Sequence, residues 1–541
     1  MVDGVDKQGV FGSVTVYSAI SMFLVAVMLS VLLEDTRNHA VNAVVQTDMA
    51  DATEILLGNY CKELFDRYGL LFFDGSYGSD MLRPSDIENQ WDEYLQYSNS
   101  LNSGFYLLGY HPSGVHLDEI RTAVDSDGMV FLDSVFQYEK YASLDSLIEK
   151  LKTYSNCLNV GVDELNSVQN EINREKEGAS DETKNVFQAP DHFGQEGNED
   201  IEISDFDISD PNVFELLYEI LPLIVYPKFW EISHASTVIE DPPSDFKCQE
   251  EKDFVASLNA VKKHFSLQEE DVNFLKKISF CDYVMQNFDS FLTKSETEEK
   301  KGICYEIEYI IVGNSSDSEN MKAVISFLVA ERTAMNCSSI KKSEKRMETV
   351  RDVADALSKA SKPELKPVYE AVLIFLWSYV EAVFDARDLL KGKKVALVKP
   401  DSDWKTDLNG IVQLVKKKGT IGFFEILSSQ KKEEEETILK EENETDRNES
   451  GGVYLGYTDY LMVMCFMADI EDNIYNCMDV IQDNIRMDFP SFSMKNMISS
   501  FRFSLTVEEG RGIFVKDREI SLLGDFHLVG KKRVFHDEGS Y

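Results

Sequence analysis

The chain has 541 residues, 43% of them hydrophobic and 11% aromatic, so it is long enough for two or three domains with sizeable cores. Its 96 Asp and Glu residues against 54 Lys and Arg residues give a formal net charge of −42. This negative excess repels phosphate groups, and it therefore argues against nucleic acid as a partner.

The first element is an uncharged apolar segment, Val10–Leu33, which reads VFGSVTVYSAISMFLVAVMLSVLL. About 20 apolar residues are enough to span a bilayer as a helix. The start of the chain is not basic on balance, the apolar core exceeds that of a secretory signal, and no A-x-A site follows Leu33. The segment predicts a retained transmembrane helix, with membrane lipid as its partner through residues 10–33. Only Lys7 precedes the span and Arg37 follows it, so the flanking charges leave its orientation open.

A second pattern continues the first helix beyond the apolar segment. Apolar residues recur every three or four positions from Val41 to Tyr68, which indicates an amphipathic helix that ends at Gly69. No proline occurs before Pro84. We therefore predict one helix from about Ser13 to Tyr68, roughly 80 Å long.

The next part of the chain predicts a mixed α+β domain. Leu70–Phe73 is a short strand that ends in a turn at Asp74-Gly75, and residues 105–136 suggest antiparallel sheet. Residues 125–128 (DSDG) begin like a calcium loop but lack its remaining ligands, which favours a plain turn. Residues 164–210 are polar and acidic, and indicate the end of a helix followed by a loop.

The central part contains one predicted strand and two predicted helices. Residues 305–312 (YEIEYIIV) suggest a strand, and Ser316 to Glu319 forms the S-x-x-E capping pattern ahead of a helix. The helix over 367–390 is very apolar, but Glu370 and Glu381 bracket only ten residues, so we interpret it as buried core.

The C-terminal part predicts one helix and two strands. After the acidic linker or loop of residues 430–451, a helix is expected from Tyr457 to about Arg486. Strands are expected over 501–507 and 512–515, joined by a turn. The fold class is therefore α+β, with a single transmembrane helix, an amphipathic stalk helix and a large mixed domain. The predicted parts are residues 1–9, 10–33, 34–68, 69–163, 164–210, 211–429, 430–451 and 452–541.

Candidate chemistry in the sequence is sparse. Glu306 and Glu308 would share one side of the predicted strand and could act as an acid–base pair, although a solvent-facing strand edge is favoured. His111 and His116 are the closest useful histidines and are predicted as loop residues. The chain contains no G-x-S-x-G motif, no P-loop and no G-x-G-x-x-G after a strand. We therefore predict no catalytic residues, cofactor, metal or small-molecule ligand, and no enzyme activity.

The cysteines also give no site. The eight cysteines are far apart and include no C-x-x-C pair, which argues against structural zinc. Free cysteines packed as small hydrophobic residues are favoured. An even number outside the cytoplasm would permit disulfides, but the spacing assigns none.

Five segments together carry a family resemblance. They are residues 12–16 (GSVTV), 64–74 (LFDRYGLLFFD), 305–324, 377–404 and 457–486. In these segments the chain resembles a bacterial family of unknown function from Gram-positive, clostridial-type genomes. Members of that family look like TadE/TadG-type pilin-like proteins and tend to be encoded beside tight-adherence (Flp-type) pilus genes.

The resemblance implies a location and a processing point. Pilin-like precursors are cleaved after a glycine before the apolar helix, which corresponds here to Gly12 and makes Ser13 the new N-terminus. It also implies a cytoplasmic N-terminus of residues 1–9, with the bulk of the chain outside. Typical pilins have Glu as the fifth mature residue, whereas this chain has Tyr17, so cleavage and polymerisation stay open.

Two functions from different classes follow. The first is a membrane-anchored, outward-facing structural or accessory (minor pilin-like) component of a tight-adherence pilus, with other pilus or assembly proteins as partners. The second is a membrane-tethered extracytoplasmic enzyme or ligand sensor whose site is assembled only in space.

Overall fold

The computed structural model describes residues 7–79, 81–101, 110–139, 145–178, most of 221–246, 272–293, 302–360, 364, 366–413, 453–509 and 532–541. The chain divides into two compact units. Unit 1 comprises Met1–Ser134 and Phe489–Tyr541, and unit 2 comprises Val135–Asp488. The fold is mixed α and β, as the sequence predicts, and most of its β-structure belongs to unit 1.

Unit 1 begins with the long helix α1, Lys7–Leu57, whose 51 residues extend about 76 Å. The prediction of one helix to Tyr68 is wrong, because the chain turns at Gly58 and a separate short helix, α2 (Lys62–Tyr68), follows. In that turn the Cys61 N–H donates to the Phe72 carbonyl oxygen at 2.7 Å, a bond that a continuous helix would not allow. Gly69 ends α2 with φ 69°, as predicted for a terminator.

The sheet of unit 1 is fully antiparallel and has β5 (Met497–Glu509) at its centre. Strand β2 (Tyr110–Thr122) pairs with one side of β5, and β1 (Phe73–Asp74) and β6 (Lys532–Ser540) pair with the other. The predictions of sheet around β2 and of strand in β5 are confirmed. Helix α4 (Met129–Glu139) replaces the sheet expected at the end of 105–136.

One face of this sheet carries the core of unit 1. The second half of α1 and helix α3 (Pro84–Leu101) pack on it, and the stripe predicted for α1 is buried. The Trp91 ring stacks on Phe503 with ring centroids 4.7 Å apart, and its Nε1 donates to the Thr53 hydroxyl at 3.2 Å. The buried stripe of α1 comprises Val41, Val45, Met49, Ala52 and Leu56. The second half of α1 is therefore an integral part of unit 1.

Unit 2 is largely helical. Among its described residues, the helices whose bounds are defined include α5 (Asp145–Gly178), α6 (Val272–Asn287), α7 (Glu306–Val312), α8 (Asp317–Lys342), α9 (Glu344–Ala360), α10 (Lys366–Leu390), α11 (Tyr457–Met467) and α12 (Ile470–Arg486). A two-stranded antiparallel sheet joins β3 (Val395–Ala396) to β4 (Tyr454–Leu455). Helix α10 lies largely buried in this unit, as predicted for the apolar run over 367–390.

Two predictions in unit 2 are wrong. Residues 306–312 form α7 rather than a strand. The prediction failed because nearly all of these residues are buried, so their sequence has no apolar periodicity that distinguishes a helix from a strand. The predicted helix over 457–486 is α11 and α12, divided where the Asp469 side chain accepts from the Glu471 N–H. The helix end predicted at the start of the loop region 164–210 is confirmed, because α5 continues to Gly178. The rest of that loop, the linker 430–451 and the strand 512–515 lie outside the described residues.

The start of α8 confirms a boundary but not its expected chemistry. Ser316 is the N-cap residue, as the S-x-x-E pattern predicts, but its side chain makes no capping hydrogen bond. Its hydroxyl instead lies 2.8 Å from the Ser318 hydroxyl. The capping box with Glu319 is therefore not formed.

Helices α5 and α8 approach closely at Gly161. A Cβ atom at this position would lie 2.7 Å from the Ala334 carbonyl oxygen, and backbone cannot move aside cheaply. We expect Gly161→Ala to lower the free energy of unfolding by about 1 to 3 kcal/mol, measured by urea denaturation of the full chain in detergent. Gly410→Ala is the control, because its Cβ would contact only the Asp407 carboxylate at 3.7 Å. Equal effects of the two substitutions would contradict the close helix approach.

Candidate functional site

The first half of α1 is exposed and apolar. Side chains from Val14 to Leu33 have no cover in unit 1, and Tyr17, Met22 and Phe23 are 76%, 77% and 68% exposed. The helix is long and apolar enough to cross a membrane. Helix α10 also passes that test of length and composition, but it is mostly buried in unit 2.

The hydroxyl groups in this part of α1 bond to their own helix. Ser18 donates to the Thr15 carbonyl at 3.0 Å, Ser30 to the Ala26 carbonyl at 2.9 Å, and Thr36 to the Leu32 carbonyl at 2.8 Å. Such internal bonds remove the cost of placing these donors in an apolar medium.

The predicted processing point lies within α1. The helix begins at Lys7, so the backbone of Gly12 and Ser13 is helical, while the Ser13 side chain lies outside the described residues.

A fully buried group of four charged side chains lies in unit 2. We call Arg332, Glu381, Asp385 and Lys399 the charge network; their side chains are between 0% and 2% exposed. Arg332 Nη2 lies 2.9 Å from Asp385 Oδ2, and Lys399 Nζ lies 2.5 Å from Asp385 Oδ1. Lys399 also pairs with Glu381. The two cations and two anions balance, as buried charges require.

Further polar groups complete the network. Glu381 accepts hydrogen bonds from the N–H of Lys405 at 3.1 Å and from the N–H and hydroxyl of Thr406 at 3.1 and 2.6 Å. Arg332 donates to the Tyr460 hydroxyl at 3.1 Å, and Asn336 donates to Asp385 at 3.2 Å. The network therefore ties α8, α10 and α11 to residues 399–406.

The electrostatic state of the network follows from these contacts. Burial raises the pKa of the Asp385 carboxyl, but Arg332 and Lys399 outweigh burial and hold that pKa below its usual value. Asp385 is thus a fixed anion. Asp385 on α10 pairs with Arg332 on α8 and with Lys399, and its side chain does not reach solvent. These contacts suit it to holding these parts of unit 2 together.

Trp404 lies beside the network. The Arg346 guanidinium lies 4.1 Å from the centroid of its ring, and Arg346 also pairs with Asp401 at 2.6 Å. The Trp377 ring packs edge-on against Trp404 with centroids 5.3 Å apart, and its Nε1 donates to the Thr406 hydroxyl at 3.0 Å. The rings of Trp377 and Trp404 therefore pack beside the charge network.

The carboxylates of Glu306 and Glu308 are buried, which corrects their expected position on a solvent-facing strand edge. Glu306 accepts from the Asp289 N–H at 2.8 Å, and Glu308 accepts from the Phe291 N–H at 2.9 Å. Glu308 also accepts from the Tyr457 hydroxyl at 2.7 Å. Both side chains therefore hold the loop after α6 against α7.

Two buried glutamates in unit 2 have strongly raised pKa values. Burial raises the pKa of Glu331 to about 8, against the smaller opposing effects of the Tyr154 hydroxyl and Arg332. Burial also raises the pKa of Glu308 to about 7, although bonds from Phe291 and Tyr457 oppose the rise. Glu331 could not be identified from the sequence, because a single glutamate in an apolar helix resembles a surface residue.

The other sequence candidates lie apart from the network in the chain. His116 lies on β2 rather than in a loop, with its Nδ1 3.1 Å from Glu88 Oε1; His111 is also on β2. Asp125 caps a plain turn by accepting from the Thr122 N–H at 2.6 Å, as predicted. Within the described stretches, no group of three His, Cys, Asp or Glu side chains is arranged to hold a metal ion.

Comparison with known proteins gives one match. A family described as "Family of unknown function (DUF5702)" matches residues 214–509, more than half of the chain. Comparisons with curated proteins and with solved structures found no match.

Proposed function

The chain belongs to the DUF5702 family of unknown function, and from that starting point we propose that it is a membrane-anchored, outward-facing component of a tight-adherence pilus or related surface assembly. The observation that carries the proposal is the two-part character of α1. Its first half is apolar and exposed, and its second half is buried against the sheet of unit 1.

The two halves of α1 match the two environments of a pilin-like subunit. Residues 14–33 cover about 30 Å of helix, the thickness of the hydrocarbon core of a bilayer. Beyond Leu33, charged residues return, and Arg37 pairs with Glu34 at 2.8 Å. From Val41 onward the helix has its apolar stripe covered by protein. A helix that runs from lipid into an antiparallel sheet domain supports a pilin-like role.

Two features favour an accessory role over a repeating shaft subunit. Tyr17 stands where typical pilins have the glutamate that pairs with a neighbouring subunit. Unit 2 adds more than 350 residues to the sequence between the two halves of unit 1. We therefore propose a minor or tip component, with cleavage between Gly12 and Ser13 as a separate proposal.

The charge network supports a structural role for unit 2. Its four side chains are at most 2% exposed, so a substrate would have to open the helix packing to reach them. Protein groups also bind to the network, since Tyr460 accepts from Arg332 and Thr406 donates to Glu381, as in a structural ion cluster.

A deletion with two complementing variants tests this function. We expect loss of the gene to abolish or strongly reduce pilus assembly and surface adhesion, and the full chain to restore both. A chain without residues 10–33 should fail to restore them. A chain with an unrelated membrane-spanning helix at residues 10–33 separates simple anchoring from a specific role of this helix. Normal pili and adhesion after deletion would contradict the proposal.

The mature N-terminus tests the processing proposal independently. We expect mass spectrometry of the protein from cell envelopes to give Ser13 as the first residue. Met1 at the N-terminus of the envelope protein would show that Gly12 is not a processing point.

A further inference from the structure

Helices α6 and α11 pack through one defined face of each. The Phe274 and Phe466 rings lie edge to face with centroids 5.7 Å apart. Lys277 Nζ donates to the Ala468 carbonyl at 3.0 Å and lies over the Phe466 ring. Residues 274, 277 and 281 follow the i, i+3, i+7 spacing of a single helix face, so Cys281 is directed at the same partner helix.

Two buried thiols lie on these packed helices. Cys281 on α6 and Cys465 on α11 are both 0% exposed, and Cys465 directly precedes Phe466, whose ring contacts Phe274 and Lys277 of α6. Burial and the Cys465 thiol both raise the pKa of Cys281. Asn473 Nδ2 lies 3.7 Å from Cys465 Sγ and donates to the Cys465 carbonyl at 2.9 Å, which fixes the end of α11. A disulfide joins two sulfur atoms at about 2 Å, so it requires cysteines on elements that pack directly on each other, as α6 and α11 do.

We propose that Cys281 and Cys465 form a disulfide bond that joins α6 to α11 when the chain matures outside the reducing cytoplasm. This inference rests on the outward orientation proposed above, because disulfides persist in oxidising compartments. The described cysteines are free thiols in the structure.

The chemistry balances by thiol–disulfide exchange. The thiolate of one cysteine attacks a disulfide-class oxidant, either a small disulfide or an oxidoreductase, and releases one thiol from it. The second cysteine then attacks the mixed disulfide and releases the other thiol. The two cysteines lose two protons and two electrons, and the oxidant is reduced to two thiols.

The burial of the pair determines when the bond can form. Burial raises the pKa of Cys281 well above its usual value, so the folded chain holds the unreactive thiol. Cys477 is also buried near Cys465, and burial raises its pKa as well. We therefore expect oxidation during folding, after which the buried bond is protected from reductants.

Mapping the cysteines in the full chain tests the proposal. The protein is taken from cell envelopes, unfolded in the presence of N-ethylmaleimide and digested, and the peptides are read by mass spectrometry. We expect a linked peptide pair that contains Cys281 and Cys465, while Cys337 on α8 is alkylated as the control. The same full chain, reduced and refolded in detergent with oxidised and reduced glutathione, should form the same link.

The outcomes separate this inference from the proposed orientation. A link in the refolded chain but not in the envelope protein supports the pairing and overturns the outward location. Alkylation of both cysteines in both samples overturns the disulfide. A link between Cys465 and Cys477 also overturns it.

Thermal stability provides a second measurement. Reduction of the oxidised full chain in urea, followed by refolding with reductant present, should lower its melting temperature by roughly 5–10 °C, because the bond closes a long loop. The double variant Cys281→Ala/Cys465→Ala should show no response to reductant, whereas Cys337→Ser should respond like the unmodified chain. A response that persists in the double variant would overturn the assignment.

Discussion

We expect Asp385→Asn to lower the free energy of unfolding of unit 2 by about 3 to 5 kcal/mol. The substitution keeps the size of the side chain but removes one of two anions from the charge network. Arg332 and Lys399 then remain buried with only the Glu381 carboxylate between them. Burying an uncompensated charge is among the most costly single changes in a protein core. Pulse proteolysis of the full chain across a urea series, read through peptides of unit 2, measures the loss.

A matched control separates the charge network from ordinary ion pairs. Asp355 on α9 pairs with Lys366, the first residue of α10, at 2.6 Å, but both side chains are more than a third exposed. Asp355→Asn should therefore leave the urea midpoint nearly unchanged, because solvent already screens the pair.

The charge-balanced double variant Arg332→Met/Asp385→Leu completes the test. It should recover much of the stability lost in Asp385→Asn, because neither charge is then left unpaired. An Asp385→Asn chain as stable as the Asp355→Asn chain would contradict a structural role for the network.

The second large effect is a fall in stability with rising pH that depends on Glu331. Its pKa is about 8 in the folded chain, against an ordinary value of 4.5. Between these values the folded chain holds a proton that the unfolded chain has lost, so the free energy of unfolding decreases as pH rises. The contribution is complete below about pH 4.5 and is lost by about pH 8, and it amounts to roughly 3 to 5 kcal/mol. Glu308, with a pKa of about 7, adds in the same direction over a narrower window.

Substitution by glutamine identifies the responsible group. We expect Glu331→Gln to flatten the pH dependence measured by urea denaturation of unit 2 between pH 5 and 8. At pH 8 the variant should be more stable than the unmodified chain, because it carries no charge to bury. Glu348→Gln, at an exposed position on α9, is the control and should leave the slope unchanged. The same slope in Glu331→Gln and in the unmodified chain would show that Glu331 is ionised in the fold.

Features that depend on a short, repeating pattern of residues could be predicted from the sequence. The stripe from Val41 to Leu56 recurs at helical spacing, so its burial could be predicted. The end of α1 could not, because the stripe continues through Leu64 and Tyr68 in α2 while Gly58 alone marks the turn. The helical structure of α7 could not be predicted for a related reason, because a segment buried on every side has no amphipathic periodicity.

The candidate site could not be predicted because it is assembled from distant parts of the chain. Arg332 and Lys399 are separated by 67 positions, and each looks like an ordinary surface residue in its own segment. Cys281 and Cys465 are still farther apart, so their spacing carries no information about pairing. Such contacts follow from tertiary packing and have no local signature.

The orientation of the chain in the membrane is tested most directly by labelling lysines on intact cells. The reagent is a membrane-impermeant amine-reactive biotin, and labelled peptides are identified by mass spectrometry from intact and from lysed cells. Lys345 and Lys359 are exposed on α9, whereas Lys7 lies before the apolar segment. If the chain faces outward, Lys345 and Lys359 are labelled on intact cells, whereas Lys7, where it is retained, is labelled only after lysis. Protection of Lys345 and Lys359 until lysis would contradict the outward-facing anchor.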